Sequence, residues 1–465
     1  MTRTFFAVVI AGTALTGQTF DRTKEPATQP LPPFKLPPVY ETKLSNGLGV
    51  VLVEDARFPL VSIRLTFAAG SKFDPPDSPG LAENTAALLT EGTGKRTSRQ
   101  LAEELASIGG TLNGRSTADS LVLAGGSLAA HTATLIELAA DVARNADFPK
   151  AEVDLRKQNR LQALLQQQSD PAFLAEERFA AVLYGAHPYS RIAPTAGAIE
   201  KLDASAVKAF RDARIVPNNA VLILLGRIPA RAEALKLIDT HFGSWQRKDL
   251  KDPAAPAPPE PSRRVVLVNR PGSVQADIRA GQVAVNRQSA EYLPLVTGTT
   301  ILGGGASSRL FNNIREKKGY AYSVHSYVDA RRESSAFTAV TQVRNEVVEP
   351  AMTDLLGELE AMAKERVTAG ELTSVKNYLS GRFVMGLETH NGLIEQLNLV
   401  KSMALPDDYI ETYTTRLRSV EPDQILRAAS KYVLPAKAAI VVVGDAEKIG
   451  KSLEKFGKVE VVKSN

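Results

Sequence analysis

The chain of 465 residues contains no cysteine, which excludes disulfide cross-links, thiolate metal centres, cysteine nucleophiles and lipid attachment through sulfur. No block of five or six like charges occurs either, and 56 lysines and arginines face 51 aspartates and glutamates, a net charge of +5. So mild and scattered an excess does not make a nucleic-acid footprint, although a pI near 9.1 tolerates an acidic partner. No apolar run reaches the roughly 20 residues that a membrane span needs. The longest, Phe5 to Gly17 behind Arg3, has the charged-then-apolar order of a secretory signal peptide, with its hydrophobic region at Phe5 to Ala11. The alternative is a disordered N-terminal tail, since Leu15 is not the small residue expected before a cut near Gly17. Export of a cysteine-free chain predicts a periplasmic protein. What remains is an ordinary globular composition, 44% hydrophobic and 23% charged, long enough for about two to four compact domains.

Proline marks the divisions. Between Glu25 and Pro38 six prolines exclude helix and central strand and predict an extended arm over residues 18–40, after a signal peptide at 1–17. A second cluster, from Lys251 to Pro261, predicts a stiff spacer within a linker at 248–263. That linker separates an N-terminal domain, 41–247, from a C-terminal domain, 264–465.

The two sides of the linker resemble each other. Pro217 to Gly226 has a counterpart in Pro435 to Gly444, the helical stretch after Glu152 in that after Glu371, and the strand Val61 to Phe67 in Gln275 to Gly281. The offsets stay near 214 to 219 residues, the mark of one domain present twice. In the first copy Leu48 to Val53 and Val61 to Phe67 are β-rich runs with a hairpin-like connection between them. Leu81 to Thr90, Ser98 to Ile108 and Ala151 to Gln168 carry helical spacing. Antiparallel strands with helices clustered beside them predict an α+β fold: two homologous domains, each an antiparallel-rich sheet packed with helices.

Local motifs offer little unaided chemistry. The five histidines, His131, His187, His241, His325 and His390, are too far apart in sequence to make a local metal pair. Gly303-Gly304-Gly305 lacks the Gly-Lys-Ser/Thr that a phosphate loop requires, and no Gly-x-Ser-x-Gly is present. Ser307 to Lys318 predicts a helix with Leu310, Phe311 and Ile314 on its apolar side and a stop at Gly319, followed by a strand over Tyr320 to Val328. Arg315 and Tyr322 flank that corner, where a guanidinium and a phenol can converge on one oxygen atom. A surface arginine and a packed tyrosine are the plainer alternative.

Three segments carry a family resemblance: Gly70 to Pro76 with Gly80-Leu81-Ala82 and Glu91-Gly92-Thr93; Leu183 to Arg191 around His187-Pro188; and Leu302 to Phe311 with Ile314 to Tyr322. Together they resemble the pitrilysin-like (insulinase superfamily) zinc metallopeptidases, over nearly the whole chain beyond residue 40. In that family H-x-x-E-H follows the Gly-Leu-Ala. Here those five positions are Glu83, Asn84, Thr85, Ala86 and Ala87, and the position aligned with the third ligand is Ala163. A catalytic zinc needs three protein ligands and a base for its water. Glu83 alone offers an oxygen, and a carboxylate favoured by the start of its helix is the plainer account of it.

The resemblance therefore implies a non-catalytic, substrate-binding subunit of a heterodimeric zinc peptidase. A homologous partner bearing H-x-x-E-H would hold the zinc, this chain none. Arg315 and Tyr322 would reach the scissile carbonyl of an extended or unfolded peptide added to a sheet edge of the partner. A proteolytically inactive scaffold of the same fold is the main alternative. An independent hydrolase with a metal site rebuilt from distant residues is another.

Overall fold

The computed structural model describes residues 35–463 apart from Pro253. The expected signal peptide at 1–17 and residues 18–34 of the arm lie outside them. The end of the arm departs from expectation: Val39 and Tyr40, β-formers released from the last proline, open the first strand, with Val39 opposite Val53.

Each half builds a six-stranded sheet. The first runs in the order β1 (Val39–Lys43), β2 (Gly49–Glu54), β6 (Ala220–Gly226), β3 (Leu60–Phe67), β5 (Leu121–Leu128), β4 (Thr111–Ser116). The second runs β12 (Val459–Lys463), β7 (Arg264–Asn269), β11 (Ala439–Gly444), β8 (Gln275–Ala284), β10 (Ser335–Arg344), β9 (Ala321–Asp329). Five strands of each sheet correspond in order and direction, with β2–β6 and β7–β11 parallel and the pairs that follow antiparallel. Duplication of one α+β unit explains this. The sixth strand differs, since β1 joins β2 antiparallel from the front of the chain and β12 joins β7 parallel from its end.

The expected hairpin between the first two β-rich runs does not form. β6, whose Leu222, Ile223, Leu224 and Leu225 are fully buried, lies between β2 and β3 and pairs with both. A strand apolar on both faces gains most at the sheet centre, and it displaces the local pairing.

Among its described residues the linker carries no helix or strand up to Arg263, yet it does not separate two independent bodies, for the described residues form one compact unit. The halves exchange helices. Pro171–Tyr184, from the first half, lays Leu174, Phe179, Leu183 and Tyr184 against Val266 and Val268 of β7 and Val441 and Val443 of β11. His390–Ser402, from the second, packs on β3 and β6 of the first sheet. Among the described residues no helix is long and apolar enough to cross a membrane.

Candidate functional site

The helix Leu81–Leu88 carries Glu83, Ala86 and Ala87, the positions that the resemblance sets against H-x-x-E-H. Its start is fixed by Asp74, whose carboxylate accepts from the Gly80 and Ala82 amides, both at 2.7 Å. Burial pushes that carboxyl up to about 6 although the two amides oppose the shift. The helix lies so close to β4 that a Cβ at Gly114 would stand 1.9 Å from the carbonyl oxygen of Ala86. Ala86 is accordingly buried, while Glu83 and Ala87, one turn apart, are half-buried on the same side.

The long helix Lys150–Gln168 packs alongside, but the residues it presents to Glu83 are arginines. Arg156 Nη2 donates to Glu83 Oε1 at 2.9 Å, and Arg160 Nε lies 3.0 Å from the same oxygen. Arg156 Nε also donates to Asn84 Oδ1 at 2.8 Å, and Arg160 Nη1 to Gln167 Oε1 at 3.0 Å. Ala163 sits beyond Arg160 on this helix and is exposed. Nothing in sequence spacing marked Arg156 and Arg160, because a pairing between two helices is invisible until they pack. These side chains do not fit a zinc ion: one carboxylate, already shared by two guanidiniums, replaces three ligands. Among the described residues no group of three or more histidines, aspartates or glutamates could hold a metal.

Arg315 and Tyr322 are brought together. The expected helix narrows to a π-helical stretch, Phe311–Lys317, in which the Lys318 amide reaches back to the carbonyl of Asn313 at 3.1 Å. Such widened turns are common at functional sites. Gly319, with φ of 63°, then turns the chain into β9. Arg315 stands over the Phe311 ring at 4.6 Å and over the Tyr322 ring at 4.7 Å, stacked between two aromatic faces. Its nearest carboxylate is Glu316 at 3.6 Å, and Tyr322 is 84% exposed. Both groups keep donors available to an outside oxygen atom.

The pair does not meet this chain's own degenerate site. A cleft of about 610 Å³ between the halves is lined by Gly80, Glu83 and Arg191 on one side and Tyr327, Asp329 and Arg331 on the other. Neither Arg315 nor Tyr322 lines it. Tyr322 lies five residues before Tyr327 on β9, about 17 Å along an extended strand.

The His-Pro segment leads into the cleft wall at Arg191. His187, 3% exposed, accepts from the Tyr189 amide at Nδ1 (3.1 Å), which puts its proton on Nε2, 3.0 Å from Glu333 of the β9–β10 loop. Lys72 Nζ reaches Glu333 at 2.7 Å, and the Tyr189 hydroxyl donates to Asp119 at 2.5 Å. Burial raises the Glu333 carboxyl, but Lys72 and His187 outweigh it and hold the group below its usual range. His187 therefore ties the halves together.

Residues 49–194 match the family model "Insulinase (Peptidase family M16)", and residues 201–379, which begin in the first half and end in the second, match "Peptidase M16 inactive domain". An uncharacterized zinc protease of Streptomyces coelicolor is 24% identical over 416 residues, 87% of this chain and 89% of that protein. One of Mycobacterium leprae is 27% identical, covering 77% and 81%. The crystal structure of a peptidase M16 inactive domain from Pseudomonas fluorescens superposes with a TM-score of 0.82 at 26% identity, covering 88% of this chain and 98% of that one. A protease from Helicobacter pylori gives the same TM-score at 19% identity and shares the fold. Between them the two matched models take in the helices Leu81–Leu88 and Lys150–Gln168 and the corner that holds Arg315 and Tyr322, and the chain belongs to the insulinase family of peptidases, family M16.

Proposed function

We propose that this chain is the non-catalytic, substrate-binding subunit of a two-chain zinc peptidase, exported to the periplasm and paired with a homologous subunit that bears H-x-x-E-H. The observation that carries this reading is a contrast within one molecule. The metal-ligand positions have become Glu83, Ala86 and Ala87, with Glu83 engaged by Arg156 and Arg160, while Arg315 and Tyr322 remain stacked together and open to the outside. In the complex the partner supplies zinc and the general base. The guanidinium of Arg315 and the hydroxyl of Tyr322 donate to the scissile carbonyl oxygen of an extended peptide, where negative charge develops as the carbonyl becomes tetrahedral. Two donors held in place before reaction cost no reorganisation at that moment. The relatives' description as zinc proteases supports a peptidase setting.

The test is native purification of this chain from its host. A second chain carrying H-x-x-E-H should accompany it, and only the mixture should cut peptides, losing activity to a chelator. Chelator-sensitive proteolysis by the isolated, homogeneous chain would overturn the reading. A stable complex without peptidase activity would favour a scaffold.

A further inference from the structure

The ligand positions of the degenerate site have not simply lost their chemistry; other groups have taken them over. We propose that Arg156 and Arg160 stand in for the metal's positive charge, as a guanidinium lock that joins the helices Leu81–Leu88 and Lys150–Gln168 and shuts divalent cations out. On this view, restoring the missing ligands is not enough to restore a metal site.

Four observations carry the proposal. Both oxygens of Glu83 are engaged: Oε1 lies 2.9 Å from Arg156 Nη2 and 3.0 Å from Arg160 Nε, and Oε2 accepts from Arg160 Nη2 at 3.4 Å. The Arg160 side chain is only 6% exposed, and a cation taken from water to that depth needs a partner on the spot. The cluster is built rather than incidental, because Asn84, 2% exposed, donates to the Gly80 carbonyl at 2.9 Å and so aims its own oxygen at Arg156 Nε. Two guanidiniums sharing one carboxylate leave an excess positive charge where a metal site collects negative charge.

The choice of residue adds to the argument. A lysine or histidine could shed its proton to admit a metal, whereas arginine keeps its charge throughout the physiological pH range. Asp74, the carboxylate at the start of this helix, is held by the Gly80 and Ala82 amides. The lock also makes chemical sense of a subunit that contributes only substrate-binding groups: it keeps its own zinc helix from competing for metal. The proposal concerns this chain alone and stands whether or not a partner subunit exists.

Two variants of the full chain test it. The first carries Glu83→His, Ala86→Glu, Ala87→His and Ala163→Glu with both arginines kept. The second adds Arg156→Gln and Arg160→Gln. After equilibration with zinc and removal of the excess, metal analysis should find less than about 0.1 zinc per chain in the first and about one in the second. A full equivalent of zinc in the first variant overturns the proposal. So does the absence of zinc from both when both melt cooperatively, because the arginines are then not the barrier. Should either variant fail to fold, a smaller change provides the second readout. Arg156→Gln with Arg160→Gln, added to Glu83→His with Ala87→His, places two histidines one turn apart and should let zinc raise the melting temperature, whereas Glu83→His with Ala87→His and both arginines kept should show no zinc-dependent shift. Equal behaviour of the two chains overturns the proposal.

Discussion

The guanidinium of Arg64, on β3 of the first sheet, lies 3.1 Å from Glu395 of the helix that the second half lends to it. Arg279, at the equivalent place on β8, lies 3.7 Å from Glu176 of the helix lent in return. Each half therefore holds the other by an arginine on a central strand and a glutamate on an exchanged helix.

This exchange predicts a single cooperative unfolding transition for residues 35–463, and no native fold for residues 35–252 produced alone. Phe179, 5% exposed against the second sheet, should on truncation to alanine cost about 3–5 kcal/mol. Denaturant unfolding followed by circular dichroism is the measurement. Two well-separated transitions, or a loss under about 1 kcal/mol, would sink the idea of mutual dependence.

Glu395→Ala should leave Arg64, 9% exposed, facing Asn391 without a charge partner. The expected loss is about 1–3 kcal/mol. The variant pair Arg64→Met with Glu395→Leu should recover most of it, because neither a cation nor an anion then remains buried. A double-mutant cycle by thermal unfolding decides this, and an additive result would show that the contact carries no coupling energy.

Tyr322→Phe removes one of the two donors proposed for the scissile carbonyl. In the reconstituted complex, turnover should fall by about 10² to 10³ with zinc content unchanged. Arg315→Lys should also impair it, because lysine cannot present a planar donor face stacked between Phe311 and Tyr322. Wild-type turnover in the Tyr322 variant would remove that residue from the mechanism.

Asp277 provides a pH signature. Burial pushes its carboxyl up to about 6 although Arg279 opposes the shift. A carboxyl raised on folding binds its proton more tightly in the folded state, so its contribution is favourable at low pH and is lost as pH rises from about 4 through 6. Asp277→Asn, which keeps the neutral shape, should therefore gain stability relative to the native chain over that interval, by an amount on the order of 1–3 kcal/mol at pH 7. Melting curves of both proteins at pH 4, 5.5 and 7 are sufficient. A constant difference between them would contradict the assignment.

The clasp at His187 predicts a local effect. His187→Ala deprives Glu333 of one of its two side-chain partners and loosens the loop that carries Arg331 and Arg332. Trypsin should then cut at those arginines faster than in the native chain, with little change in the global melt. Equal cleavage rates would show that His187 does not secure the loop.

Much of this was legible in sequence for a stated reason. The duplication showed because strands that end in glycine at the sheet centre, such as Ala220–Gly226 and Ala439–Gly444, keep the same apolar run and the same offset in both copies. The pairing of Arg315 with Tyr322 was within reach because one turn of chain joins them across Gly319. The placement of β6 between β2 and β3 was not, since the strand that wins a central position arrives more than 150 residues later. The arginines of the degenerate site were missed for the same reason: Glu83 and Arg160 are 77 residues apart.

By itself the sequence determined that the side chains at positions 86 and 87 cannot bind a metal or take a proton, because a methyl group has no lone pair in any conformation. It also determined the repeated α+β unit, since hydrophobic period and turn residues act over a few neighbours. Only the tertiary structure decided which half each helix stabilises and that Arg156 and Arg160 meet Glu83. Both depend on surfaces that exist only after distant segments have packed, where the free energy of burial, rather than proximity along the chain, selects the partner.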